Sequence, residues 1–474
     1  MSSIKKNLIV GVFWSAVEKY SSLILNIGIS MILARILSPQ EYGVVSIATV
    51  FISFLTLFAS MGIGPAIIQR KDLSQQDLDN IFTFTLVVAA ILSISLFLLS
   101  GSISNYFGEK ELSIICKILS VNLFFSAANV VPNALMAKNQ RFRDIAKRTV
   151  LLLLISGPLS IIIALWGGGV YSLLVSPIIT SIGIYLYNNK YYPCHIRLNL
   201  SLSPVKSIFG YSVYQFLFEI INYFSRNLDK LIIGKHLSIG ALGYYDKSYR
   251  LMLLPLNNIT SVIGPVIQPV LSNIQNDKIE IAQKYLKIIS VAATISFPLG
   301  VYLFFTADEL IRFFYGSKWD LAIPAFKILS LSIPLQVVLC TSGSIYQVAN
   351  ATRSLFYIGT LNTCVTIIGM LISCFHFGTI EAVAYAWTVT TTINFCITYI
   401  NLFAHVLKTN PLHLLKTLLN PSLLLAILSL IYIILPSINN WIVSLLIKSI
   451  IVVFASFLFV QISGQYNFLK VLKK

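Results

Sequence analysis

A chain of 474 residues, 57% hydrophobic and 11% charged, with a mean hydropathy of +0.83, is too apolar for a soluble protein, in which about a quarter of the residues carry charge. The net charge of +17 then belongs to the connections of a membrane protein, so a nucleic-acid partner is a poor inference. Six cysteines and five histidines lack CxxC or HExxH spacing; neither a disulfide framework, a metal site nor a cofactor is expected, and the cysteines read as buried small hydrophobes.

Apolar runs, mostly near the roughly 20 residues that a helix needs to cross about 30 Å of hydrocarbon, recur along the whole chain. The fold expected is all-α and polytopic, with about fourteen transmembrane helices. The first run, after Lys5 and Lys6, is too long for a secretory leader and carries Glu18 and Lys19, so it reads as a retained helix. On it Ser15, Glu18, Ser22 and Asn26 share a face, with Lys19 at the edge. A carboxylate there is either a proton-coupling group or part of an ion pair or cavity wall, the second being the commoner use.

The stretch "ILARILSPQEYG", 32–43, is a polar interruption in which Pro39 and Gly43 are expected to end one helix and start the next. In the second run Ser46, Thr49, Ser53, Thr56 and Ser60 form a stripe, read as close helix packing ahead of a polar path. With the N-terminus inside, about 21 cations, among them Arg148 in a connection and Lys206, Lys470, Lys473 and Lys474, fall on the cytoplasmic side and about five on the other, among them Arg312 in the longest outer connection, near 307–321, which fixes the orientation with both termini cytoplasmic. No connection exceeds about 20 residues, leaving no room for a soluble catalytic domain.

The interruption returns at 232–243 as "IIGKHLSIGALG". Positions 32–69 align without a gap on 232–269, and Ile63-Gly64-Pro65 falls on Ile263-Gly264-Pro265. Six runs separate the copies, so both enter the bilayer the same way up, as in parallel-repeat transporters. The expected division is a six-helix lobe over 1–205, a second over 206–410, and two further helices with a cytoplasmic tail over 411–474.

The second copy differs in charge. Glu219, Asn222, Arg226, Asp229 and Lys230 fall on one face of the seventh run, and Asp246, Arg250 and Asn257 share a face of the eighth, which also carries Lys247. Charge inside a span costs at least about 2.5 kcal/mol per residue, so it should face protein or water. These residues are the substrate-cavity candidates, and ion pairs that only hold the two helices together are the competing reading.

The blocks "MILARILSPQEYGVVSIA", "MGIGPAIIQRKDLS", "RNLDKLIIGKHLSIGALGYYDKSYRLMLLP" and "FFYGSKWDLAIPAFKILSL" resemble the bacterial polysaccharide transporter family. The likeness is to its colanic-acid-exporter and O-antigen flippase branch, within the superfamily of multidrug extruders and lipid II flippases. The resemblance implies two six-helix lobes around an alternating-access cavity, and movement of undecaprenyl-pyrophosphate-linked oligosaccharide across the cytoplasmic membrane, without catalysis. It places Arg226, Asp229 and Lys230 in a matching block. The partners implied are the lipid-linked glycan, membrane lipids and other glycan-assembly membrane proteins. Two alternatives stay open: a cation-coupled multidrug exporter, expected to carry more acid than base in its cavity, and a membrane glycan polymerase or ligase, expected to carry a long outer loop.

Overall fold

The computed structural model describes residues 2–197, 201, 203–205, 213–436, 438 and 440–462. Lys206, Lys470, Lys473 and Lys474 of the expected cytoplasmic cations lie outside these residues, as do the side chains of Lys5, Lys6 and Glu219. The described residues are helical, with no strand among them. Among the described residues ten helices are long and apolar enough to cross a membrane, or eleven if the bent pair Ser317–Ser330 and Ile333–Val348 is one span, so the expected fourteen are not all reached there. Three helices that overlap expected spans are not among the ten: Val213–His236 and Ile239–Ser272, which carry the charged residues, and the threonine-rich Ile380–Ile400.

The chain divides into two compact units, Met1–Gly243 and Tyr244–Lys474. The first contains α1 (Ser2–Ile36), α2 (Pro39–Ser60), α3 (Ile63–Gln69), α4 (Gln75–Phe107), α5 (Lys110–Ala128), α6 (Val130–Lys138), α7 (Phe142–Leu165), α8 (Ser172–Tyr191) and α9 (Val213–His236), and ends within the first turns of α10 (Ile239–Ser272). Here α4 packs on α5, α1 on α7, α7 on α8, and α9 on α2. The second unit continues α10 and adds α11 (Lys278–Phe305), α12 (Ala307–Phe314), α13 (Ile323–Ser330), α14 (Ile333–Leu339), α15 (Ser342–Val348), α16 (Thr352–Ile372), α17 (Ile380–Ile400), α18 (Leu412–Ile434) and α19 (Trp441–Ile462). In it α11 packs on α18 and α14, and α16 on α17.

Local chemistry sets the boundaries. Ser38 caps α2 in a reciprocal box with Glu41: the Ser38 N–H and hydroxyl donate to the Glu41 carboxylate at 2.6 and 2.8 Å, and Pro39 takes the first helical position, where no N–H is needed. Gly43 lies inside the helix, contrary to its expected role as a boundary. Its hydrogen side chain serves packing instead. A Cβ on Gly43 would sit 1.9 Å from the Ile239 carbonyl oxygen, and one on Gly243 would sit 2.0 Å from that of Pro39. The first turns of α2 and α10 thus cross backbone to backbone through two glycines that occupy equivalent places in the repeat. The repeat register is kept at the helix ends too, since α1 ends at Ile36 and α9 at His236, while α2 begins at Pro39 and α10 at Ile239.

The hydroxyl stripe on α2 is largely turned onto its own helix: Thr49 donates to the Val45 carbonyl at 2.7 Å and Thr56 to that of Ile52 at 2.8 Å. That satisfies these two threonines without a ligand, whereas the buried Ser46 hydroxyl meets no hydrogen-bond partner among the described residues. The cysteines depart from expectation: Cys116, Cys194 and Cys374 are buried, whereas Cys340, Cys364 and Cys396 are exposed. A membrane face exposes apolar side chains to lipid, so a small hydrophobe there need not be inside the protein.

Candidate functional site

The chain reaches α9 through a strap that α4 holds. The His195 N–H donates to the buried Asp79 carboxylate at 3.1 Å, the Arg197 N–H to the Thr83 hydroxyl at 2.9 Å, and the Ser201 N–H to the Asn80 side chain at 3.2 Å. An extended segment lacks internal partners, so side chains of α4 supply them. Burial in this strap pushes the Cys194 thiol up to about 12.

On α9, Arg226 is exposed, Asn222 and Lys230 are half-buried, and Asp229 is buried, its carboxylate accepting from the Lys230 N–H at 2.8 Å. The face read from the sequence therefore runs from the open side of the helix at Arg226 to its packed side at Asp229. The same helix leans on α2, where the Tyr223 hydroxyl donates to the Val50 carbonyl and Phe54 meets the rings of Tyr223 and Phe224 at 5.7 and 5.1 Å.

On α10 the structure brings Asp246 and Arg250 together. The Arg250 Nε donates to Asp246 Oδ2 at 2.6 Å; the carboxylate is 3% exposed and the guanidinium 53%. One helical turn separates the two, which is the spacing that lets such a pair form. The acid is buried while the arginine side chain stays about half exposed. Asn257, two turns on, is exposed. Lys247, only a member of the sequence pattern, is 3% exposed, and its ammonium lies 4.7 Å from the centroid of the Tyr315 ring and 5.7 Å from that of Trp319. Burial pushes the Tyr315 phenol above its usual range, which keeps the ring neutral. The nearby Ser248 hydroxyl donates to the Ala322 carbonyl at 2.8 Å, so this turn of α10 is tied to the segment just before α13.

On α1, Glu18 is half-buried and accepts from the Thr149 hydroxyl at 3.1 Å, while Lys19 is exposed, 5.9 Å from the Tyr20 ring. Two further charged groups escaped the sequence reading. Arg148, counted with the cytoplasmic cations, lies inside α7 at 4% exposure. In the second unit Lys448 of α19 pairs with Glu309 of α12 and donates to the Phe305 carbonyl at 2.8 Å, and Ser444 donates to the same carboxylate at 2.6 Å. A lysine amid the apolar run of α19 was the available signal, because an isolated charge in a span calls for a partner. Arg312 of α12 forks onto Asp320 with two bonds of 3.0 Å.

The family profile described as "Polysaccharide biosynthesis protein" matches residues 32–324, which include α9 and α10. Among relatives, the teichuronic acid biosynthesis protein TuaB of Bacillus subtilis is 23% identical, over 91% of this chain and 89% of its own. The lipopolysaccharide biosynthesis protein WzxC of Escherichia coli is 24% identical, over 74% of this chain and 70% of its own. Among solved structures, the lipid II flippase MurJ in an inward closed conformation superposes with a TM-score of 0.73 at 18% identity, covering 98% of this chain and 100% of that one. This last likeness is one of fold. With a match over more than half its length and relatives aligned over most of the rest, this multi-pass membrane protein belongs to the polysaccharide biosynthesis protein family.

Proposed function

We propose that the chain is a flippase that moves undecaprenyl-pyrophosphate-linked oligosaccharide repeat units across the bacterial inner membrane by alternating access, supplying O-antigen, capsule or exopolysaccharide assembly. One observation carries this reading: the family match runs through the charged helices α9 and α10, on which the arginines Arg226 and Arg250 are each exposed. A diphosphate must leave water without losing its counter-charges, and an exposed guanidinium on a rigid helix supplies them at low cost in ordering. The isoprenoid tail stays in lipid throughout.

In this reading 1–205 and 206–410 form the two lobes, and 411–474 adds two helices and a tail on the cytoplasmic side, where the N-terminus also lies. Arg226, Lys230, Asp229, Arg250, Asp246, Glu219, Asn222 and Asn257 are the cavity candidates. Glu18 and Lys19 serve as a coupling group or cavity wall. Other glycan-assembly membrane proteins are the expected partners. Transport rather than polymerisation is supported by Arg312: the arginine of the longest outer connection is occupied by Asp320.

Deletion of the gene tests the proposal. The expected result is loss of surface glycan with build-up of the lipid-linked unit on the cytoplasmic side. Unchanged surface glycan in a strain without a substitute transporter overturns it.

A further inference from the structure

The inner half of the first unit holds a buried cation that the transport reading does not use. Arg148 is 4% exposed. Its Nη2 donates to the Asn133 side chain of α6 at 2.7 Å, while Nε and Nη1 meet no hydrogen-bond acceptor among the described residues. A guanidinium is never discharged in practice, and a buried one without a counter-charge is strongly destabilising.

The candidates for that counter-charge are few. Asn133 stands on α6, α1 packs along α7, and α7 on α8. Together α1, α6, α7 and α8 carry two acidic residues, Glu18 and Asp144. Asp144 is engaged one turn before Arg148, paired with the exposed Arg141 at 2.9 Å. Glu18 reaches the same turn of α7, since its carboxylate accepts at 3.1 Å from the hydroxyl of Thr149, the residue after Arg148. The remaining charged or titratable groups nearby do not compete: Lys19 on α1 is exposed near Tyr20, Arg143 of α7 lies over the Trp14 ring, and Tyr187 of α8 is a phenol.

We propose that Arg148 is the fixed counter-charge of Glu18, so that the carboxylate of α1 is positioned by α7 as half of an internal charge pair. Of the roles open to Glu18 in the transport reading, this selects the paired one over a free-standing coupling group. The proposal rests on that reading only for its transport readout.

The test uses the full chain with R148M, R148K, E18Q and the double variant E18Q/R148M, expressed in a strain lacking the gene. E18Q strands the buried Arg148 and R148M leaves the half-buried Glu18 without its counter-charge, so each should lower the thermal midpoint of the detergent-purified protein by about 5 °C. The double variant should recover most of that loss, because a pair removed together leaves no uncompensated charge. R148K should keep more than half of the parent's surface glycan where R148M loses it several-fold. A double variant that loses the sum of the two single losses overturns the proposal, as does an E18Q protein that melts with the parent. E18Q and R148K still decide the matter if R148M does not fold. If gene deletion itself leaves surface glycan unchanged, the flippase reading falls, and the midpoints still judge the pair.

Discussion

The α1–α2 hairpin and its copy, α9–α10, share their helix ends but not their contents. Where the first copy has Asn26, Ile29 and Ser30, the second has Arg226, Asp229 and Lys230, and where α2 has Ser46 and Val50, α10 has Asp246 and Arg250. Backbone continuity differs as well. The first copy breaks at Met61 and Gly62, both left-handed with φ of 35° and 72°, before α3 resumes, whereas α10 passes the equivalent Ser261 and Val262 without interruption. The two copies share the junction between their helices and its paired glycines, and differ in the charge their helices carry and in whether the second helix breaks. Charge concentrated in one copy is therefore better read as an acquired task than as a requirement of the fold.

The largest effect is expected where the copies agree. Gly43→Ala or Gly243→Ala places a methyl on the other helix's carbonyl, so each should cost about 3 kcal/mol and sharply reduce export, read from thermal midpoint and surface glycan. If both were silent, the crossing of the two first turns would carry no weight. Next come positions where the copies differ in burial and charge. Asp246→Ala removes a buried partner of the half-exposed Arg250 and should lower stability by about 1–2 kcal/mol, whereas Ser46→Ala at the equivalent place stays within about 0.5 kcal/mol. Equal losses would erase the contrast.

Smaller in stability but specific to transport is Arg226→Ala. The side chain is exposed, so the midpoint should stay with the parent while surface glycan falls several-fold, and Asn26→Ala in the first copy should change neither. Normal export by the Arg226 variant would return α9's charge to a helix-holding role. The smallest effect is expected at a second glycine pair. A Cβ at Gly64 or Gly264 meets nothing within 4 Å, so alanine at either should stabilise by up to about 1 kcal/mol through reduced backbone freedom. A large loss there would mean that every repeat-matched glycine is a packing glycine.

Much of the fold was legible in the residues. Hydropathy gives the class and the approximate places of the spans, because a helix in lipid must be apolar over its length whatever its neighbours. The ungapped register of 32–69 on 232–269 anticipates helix ends that the structure places in equivalent positions. Less of the site was legible. Asp246 and Arg250 were readable as a face, since one turn of helix fixes their relation, but the burial of Asp246 beside an exposed Arg250 was not. Arg148 was misread as a loop cation because its position in the sequence, just before an apolar run, fits a snorkelling side chain as well as a buried one. Lys448 and Glu309 lie 139 residues apart, and no local pattern links them.

The sequence by itself determined that this is an all-helical membrane protein with a duplicated hairpin, because these follow from transfer of side chains to lipid and from periodicity along the chain. Only the tertiary structure decided that Gly43 and Gly243 are contact points rather than stops, that Lys247 sits among aromatic rings, and that Arg148 is buried against Asn133. Those facts depend on which faces of distant helices meet. A helix can present the same residue to lipid, water or a neighbour without any change in its own sequence.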